Sequence, residues 1–171
     1  MPGYVIHLAV AQEYLKKHNN KKEDINNFIK GTIYPDSVKD KSLTHYGAKS
    51  SKVVLKNFLK ENYLDNSFNR GYFLHLVTDY LFYNKYLDIF TKDIYNDYDI
   101  TNKPLIEKYK VQIPENIKNY VFFKEGKTKL LHLKLAEKVI DEVSELDLDM
   151  IEKEIKDNPE DEKWSSYNKK I

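Results

Sequence analysis

A histidine and an aspartate interrupt the apolar run of residues 71–81, GYFLHLVTDYL. They are His75 and Asp79, and positions i and i+4 of a helix lie on one face, about 6 Å apart. The two side chains can therefore hold one metal ion together, or Asp79 can accept a hydrogen bond that fixes the tautomer of the imidazole. Because a buried charge without a partner is costly, one of these two interpretations must hold if the helix is central.

Three further residues in the first half of the chain carry the same kinds of ligand atom. His7 lies on the first predicted helix, Asp36 follows a proline in GTIYPD, and His45 lies in THY before another helix. Taken alone, His7 is typical of a half-buried histidine, Asp36 of an aspartate in a turn and His45 of a surface histidine. Together with His75 and Asp79, most of them lie at helix ends or in one loop, which a bundle can gather at one end. Five ligands exceed the needs of one tetrahedral ion, and the two oxygens of Asp79 can bridge two ions.

Composition narrows the kind of protein and the kind of site. The 171 residues suit one domain, and the formal net charge of +1 gives no strong nucleic-acid signature. The chain has no cysteine, which excludes thiol catalysis and Cys-based zinc sites and leaves His and carboxylate ligands. No secretion signal or membrane-spanning run is visible, so we expect a cytoplasmic protein without a membrane span.

Helical spacing of apolar residues predicts an all-α, single-domain bundle. The predicted helices are 4–18, 23–29 (stopped by Gly31), 49–61, 66 or 67 to about 90, 104–109, 115–123, 133–146 and 148–156. The fourth is apolar nearly all round, as expected of a central helix. Residues 32–46 are predicted as a loop, 97–101 as a break and 124–127 as a turn, with 121–123 the only strand candidate. The predicted domain is 1–157, followed by a polar tail, 158–171, that Trp164 can dock.

Three other polar positions receive simpler interpretations. His18 is expected to face solvent near the negative end of the first helix dipole. His132 is interpreted as a helix-entry residue. The DYD of residues 97–99 is expected to cap the following helix or to form the rim of a pocket.

The motifs MPGYVIH, GTIYPD, THY and GYFLHLVTD, in this order, resemble the zinc-dependent phospholipase C family. That family is related to the single-strand-directed S1/P1-type nucleases, and the resemblance covers residues 1–86. It implies a helical bundle with up to three zinc ions at one end that hydrolyses phosphate esters. It further implies that Asp36, His45, His75 and Asp79 hold one zinc, that Asp79 bridges to a second zinc bound by His7, and that Asp36 orients or deprotonates the attacking water.

The chain departs from this pattern where members with three zinc ions hold the third. Secreted members have a mature N-terminal tryptophan, whereas this chain begins Met1-Pro2. No histidine follows in TDYLFYNKY, and His132 has Ala136, not a glutamate, four residues later. We therefore expect one or two zinc ions, with manganese or another divalent metal as alternatives.

Two classes of function remain open from the sequence. The first is a metal-dependent phosphoesterase that acts on a phospholipid head group, a nucleotide or another small phosphate ester. The second is a noncatalytic, metal-stabilised helical interaction module. An HD-domain-like phosphohydrolase ranks last because the chain has no His-Asp dipeptide. The oligomeric state is not indicated.

Overall fold

The computed structural model describes residues 3–18, 22–158 and 164, and all regular structure in these residues is helical. This confirms the all-α class. The α-helices are α1 (Tyr4–His18), α2 (Ile25–Ile33), α3 (Leu55–Glu61), α4 (Ser67–Leu81), α5 (Asp93–Tyr109), α6 (Leu133–Val143) and α7 (Leu148–Asp157). No helix of the described residues has both the length and the apolarity needed to cross a membrane.

Helix α4 is the central element of the bundle. Asn66 caps its start by accepting the backbone N–H of Asn69, and every residue from Arg70 to Leu81 is buried. The prediction that this helix continues to about residue 90 is wrong. A π-helical turn, Phe82–Tyr86, follows Leu81, and the chain is extended at Leu87. The wider turn redirects the chain before the exposed side chains of residues 88–90 would enter the core.

Helices α2 and α4 pack so closely at Gly31 and Gly71 that neither position can carry a side chain. A Cβ atom at Gly31 would lie 2.0 Å from the Phe68 carbonyl oxygen, and one at Gly71 would lie 2.0 Å from the Phe28 carbonyl oxygen. Gly31 is therefore a contact residue inside α2, and the prediction that it stops the helix is wrong. The chain remains helical through Ile33 and a 3₁₀ turn, Tyr34–Asp36, which places Asp36 beside α4.

The segment predicted as one helix over residues 49–61 is divided. A 3₁₀ turn, Ser50–Lys52, precedes α3, and Val53 and Val54 between them are extended. Val53 is buried in this conformation. The β-branched pair thus favours extended backbone at the point where the chain turns into α3.

Helix α5 runs through the predicted break at residues 97–101. Its interior contains Pro104, which removes one backbone hydrogen bond, but Tyr98, Thr101 and Leu105 are buried along one face. Asp97 is fully buried and accepts the backbone N–H groups of residues 129, 130 and 131. The DYD segment is therefore part of a helix that holds a distant loop, and it does not cap the following helix.

In the C-terminal half, α5 and α6 pack against α1, and α7 packs against α3 and α4. Residues 115–123 form a shorter 3₁₀ segment, Glu115–Tyr120, and residues 121–123 are not a strand. Trp164 docks as expected: its indole N–H donates to Glu154, and its carbonyl accepts from the Tyr80 hydroxyl. The rest of the predicted tail beyond residue 158, residues 1–2 and residues 19–21 lie outside the described residues.

Candidate metal centre

The five predicted ligands come together at one end of the bundle. His7 lies in the second turn of α1, Asp36 ends the 3₁₀ turn after α2, His45 lies in the following loop, and His75 and Asp79 lie on α4. None of the five exposes more than 7% of its surface. Residues far apart in the chain thus meet around one buried point.

Four ligand atoms surround that point at nearly equal spacing. His45 Nε2 is 3.4 Å from Asp36 Oδ1 and 3.1 Å from Asp79 Oδ2. His75 Nε2 is 3.6 Å from Asp36 Oδ1, 3.2 Å from Asp79 Oδ2 and 3.3 Å from His45 Nε2. Ligands about 2.0–2.1 Å from a tetrahedral zinc ion are separated by about 3.3 Å from one another. The five separations therefore match the edges of a zinc tetrahedron.

Backbone carbonyls orient both imidazoles toward this centre. His75 Nδ1 is 2.7 Å from the Thr32 carbonyl oxygen, and His45 Nδ1 is 3.1 Å from the Lys41 carbonyl oxygen. With protons on Nδ1 for these contacts, Nε2 of each ring points inward, as in metal-ligating histidines generally. A hydrogen bond between His75 and Asp79 explains only one of the five short separations, so a shared cation accounts for more of the geometry.

The loop that carries Asp36 and His45 is tied down by hydrogen bonds. The Thr44 hydroxyl donates to the Pro35 carbonyl at 2.7 Å, and the Tyr72 hydroxyl on α4 donates to the Thr44 carbonyl at 2.5 Å. These bonds join the PD turn and the THY segment to α4. They hold two ligands from outside the helices in fixed positions without any help from a metal.

His7 faces the second oxygen of each carboxylate. Its Nε2 is 3.0 Å from Asp79 Oδ1 and 4.0 Å from Asp36 Oδ2, whereas the other two oxygens face His45 and His75. Its ring stacks on that of His75, with centroids 3.6 Å apart. Among the described residues, both oxygens of Asp36 and Asp79 Oδ2 are buried without a hydrogen-bond partner. The carboxylates are thus arranged so that each can serve two neighbouring positions.

The charges of the cluster favour a cation. Burial would raise the pKa of Asp79, but His75 and His7 hold it well below its usual value, and the Asp36 pKa is lowered in the same way. Burial lowers the pKa of His7, which keeps this imidazole neutral. Burial also acts to lower the His45 pKa, yet the neighbouring carboxylates of Asp36 and Asp79 raise it to about 9. A divalent ion beside a neutral His45 would balance the negative charges of the two carboxylates.

A cleft of about 890 Å³ reaches the cluster at Asp36. Its walls come from the start of α1, the loop after Asp36, α5 and residues 116–122. They include the lysines Lys39 and Lys41 and the aromatic residues Tyr4, Tyr95, Tyr98, Tyr120 and Phe122. A volume of this size is typical of a small-molecule site.

The remaining histidines lie outside the cluster. His132 is exposed, caps α6 and contacts the Thr128 hydroxyl, so its interpretation as a helix-entry residue is confirmed. His18 was expected to face solvent but is half-buried, because its ring stacks on Tyr14 and its Nε2 contacts the Ser144 carbonyl.

Sequence reasoning missed the parts of the site that depend on long-range contacts. The carbonyls that orient the two imidazoles belong to Thr32 and Lys41, and no sequence signal marks a backbone group as a partner. Tyr98 was predicted to lie in a loop motif, residues 97–99, that caps a helix or forms the rim of a pocket; it does line the cleft, but from within α5. The helical face that it shares with Thr101 and Leu105 is the pattern that could have shown it to be buried.

Comparison of the chain with models of protein families, with curated proteins and with solved structures gives no match. The resemblance of the N-terminal motifs to a family therefore stays a prediction. The observation that buried His and Asp groups can hold a metal ion depends on the geometry alone.

Proposed function

We propose that the chain is a metal-dependent phosphoesterase, with zinc as the preferred ion. The observation that carries this proposal is the set of four atoms from Asp36, His45, His75 and Asp79, spaced 3.1–3.6 Å apart in the five pairs measured. Two imidazole nitrogens and two carboxylate oxygens suit zinc, and they also accept manganese.

The two faces of the cluster are suited to different tasks. Asp36, His45, His75 and Asp79 offer a complete set of four ligands. His7 and the outer oxygens of Asp79 and Asp36 offer three, which is the number that catalytic zinc sites use with one position left for water or substrate. A divalent ion bound there would lower the pKa of its water toward about 7 and stabilise charge on phosphate oxygens.

Asp36 is the ligand best placed to take part in chemistry. It is the only one of the five that lines the cleft, and its two oxygens have no hydrogen-bond partner in the described structure. In the proposed reaction this carboxylate orients the attacking water. The other four side chains do not line the cleft and act only as ligands.

The cleft supports a small phosphate ester as the substrate. The cleft reaches the candidate metal centre at Asp36, and its walls carry two lysines and several aromatic rings. The cations and lysines would supply the positive charge that the nearly neutral chain lacks overall. A phospholipid head group, a nucleotide and another small ester all meet this description.

The alternative is a noncatalytic module in which the ion clamps α1, the loop and α4 together. The burial of all five ligands and the complete four-ligand set favour it, because structural zinc sites are closed. In this case removal of the metal melts the protein, and the metal-loaded protein hydrolyses no ester.

Metal content and hydrolysis distinguish the two. Tag-free protein is stripped with a chelator, refilled with zinc or manganese, counted for metal by plasma spectrometry and assayed on bis(4-nitrophenyl) phosphate and 4-nitrophenyl phosphate. We expect one or two ions per chain, and hydrolysis that is lost on stripping while helicity largely survives, then restored on refilling.

Asp36→Asn should abolish hydrolysis, and His132→Gln is the matched control because it removes a histidine outside the cluster. Wild-type protein that holds zinc but hydrolyses neither ester would refute the phosphoesterase proposal and leave the noncatalytic module as the explanation. Wild-type protein that binds no zinc at neutral pH would refute both.

A further inference from the structure

The phenol of Tyr98 is the unexplained polar group beside the metal centre. Tyr98 lies on α5, lines the same cleft as Asp36 and exposes only 5% of its surface. Its hydroxyl is buried and has no hydrogen-bond partner in the described part of the chain. A buried hydroxyl without a partner costs stability, and a ligand that accepts its proton would remove that cost.

The surroundings of the hydroxyl keep it a donor. Burial raises the pKa of Tyr98 well above its ordinary value, and the negative charge of Asp79 raises it further, followed by smaller effects of Tyr95 and Asp36. The phenol is therefore protonated at neutral pH. Neither carboxylate of the cluster accepts its proton in a hydrogen bond, which leaves that proton available to a third group.

The ring is held in place from several sides. The buried carboxylate of the preceding residue, Asp97, ties this turn of α5 to the backbone of residues 129–131. Gly3 packs against the ring: a Cβ atom there would lie 3.5 Å from Tyr98 Cγ. Tyr95 meets the ring edge-on at 6.0 Å between centroids. A donor fixed in this way is pre-organised, and such donors are effective where charge develops during a reaction.

We propose that the Tyr98 hydroxyl donates a hydrogen bond to a phosphoryl oxygen of the substrate, and that it is a catalytic residue of this site. The inference rests on the proposed phosphoesterase function, which the sequence motifs of residues 1–86 suggest without including Tyr98. The hydroxyl keeps its proton throughout, and no bond to Tyr98 forms or breaks.

Tyr98→Phe tests the proposal, with Tyr86→Phe as the matched control. Tyr86 is also buried, but its hydroxyl donates to Glu142 at 2.8 Å and it does not line the cleft. In zinc-loaded protein, Tyr98→Phe should lower kcat on bis(4-nitrophenyl) phosphate roughly 10- to 100-fold with little change in KM. It should weaken the binding of inorganic phosphate, measured by calorimetry, about tenfold, while zinc content stays unchanged.

Stability separates this role from a structural one. Loss of an unpartnered hydroxyl should leave the Tm of metal-free Tyr98→Phe unchanged or raised, whereas Tyr86→Phe should lower Tm and keep kcat. A kcat of Tyr98→Phe within twofold of wild type, or a fall in Tm like that of Tyr86→Phe, would overturn the inference and leave the phosphoesterase standing. Zinc-loaded wild-type protein that neither hydrolyses the ester nor binds phosphate would overturn both.

Discussion

Replacing Asp79 by asparagine tests the cation site through stability, without any need for a substrate. Asp79 contributes an oxygen 3.1 Å from His45 Nε2 and 3.2 Å from His75 Nε2, and it is fully buried. The amide keeps the shape of the side chain but removes one of the two negative charges that face the ion. We expect zinc affinity to fall at least about 100-fold, because changes even to the partners of metal ligands cost about 10- to 100-fold.

The size of the expected Tm shift follows from the thermodynamic linkage between zinc binding and folding. Zinc at about 100 times the wild-type Kd stabilises the folded protein by about 2.7 kcal/mol, against about 0.4 kcal/mol for a variant whose Kd equals that concentration. For a chain of this size about 1 kcal/mol shifts Tm by about 2–4 °C, so zinc should raise Tm by about 5–11 °C in wild type and by about 1–2 °C in Asp79→Asn.

The assay is thermal unfolding with chelator and with a zinc titration. The zinc-induced shift is compared within each variant, because the substitution also changes the stability of the metal-free protein. His132→Gln should keep the full shift. The cation site at Asp79 would be refuted if zinc left the wild-type Tm unchanged, or if Asp79→Asn kept the whole zinc-induced shift of the wild type.

Two further predictions concern pH and helix packing. In metal-free protein the His45 pKa is raised from 6.5 to about 9, so its stabilising protonation is complete below pH 6.5 and lost as pH rises through about 9. Thermal melts in chelator should therefore show Tm falling over this range, and a slope that His45→Gln leaves unchanged would contradict the assignment. Gly71→Ala would place a Cβ atom 2.0 Å from the Phe28 carbonyl oxygen, and it should lower the free energy of unfolding by about 3 kcal/mol in urea titrations. An unchanged urea midpoint would show that α2 and α4 can separate at no cost.

The positions of the predicted ligands follow in part from local rules. The spacing of His75 and Asp79 places both on one helical face, and the apolar run around them predicts a buried helix. Helix ends and one connecting loop were enough to suggest that Asp36 and His45 join them. Separate roles for the two oxygens of Asp79 were predicted, but the second oxygen of Asp36 facing His7 was not, because it depends on how α1 packs beside the turn that carries Asp36.

Two of the errors in the fold share a physical cause. Gly31 and Pro104 are normally helix breakers, and both lie inside helices here. Gly31 is retained because only a residue without a side chain allows α2 to approach the backbone of α4. Pro104 is tolerated because the buried face of α5 offsets one lost hydrogen bond. In both cases tertiary packing overrides a local preference that the sequence states correctly.

The same correction to α5 explains how a residue outside the ligand motifs comes to face the centre. With a break at residues 97–101, Asp97 and Tyr98 would lie in a loop and their directions would be unconstrained. In a continuous helix, the carboxylate of Asp97 holds the loop at residues 129–131, while Tyr98 lines the cleft beside Asp36. The loop contact therefore fixes the wall of the cleft. Asp97→Ala removes this contact and should shift Tyr98 through α5, whereas none of the five predicted ligands is changed. We therefore expect the variant to keep the zinc content of the wild type although the wall of its cleft is altered.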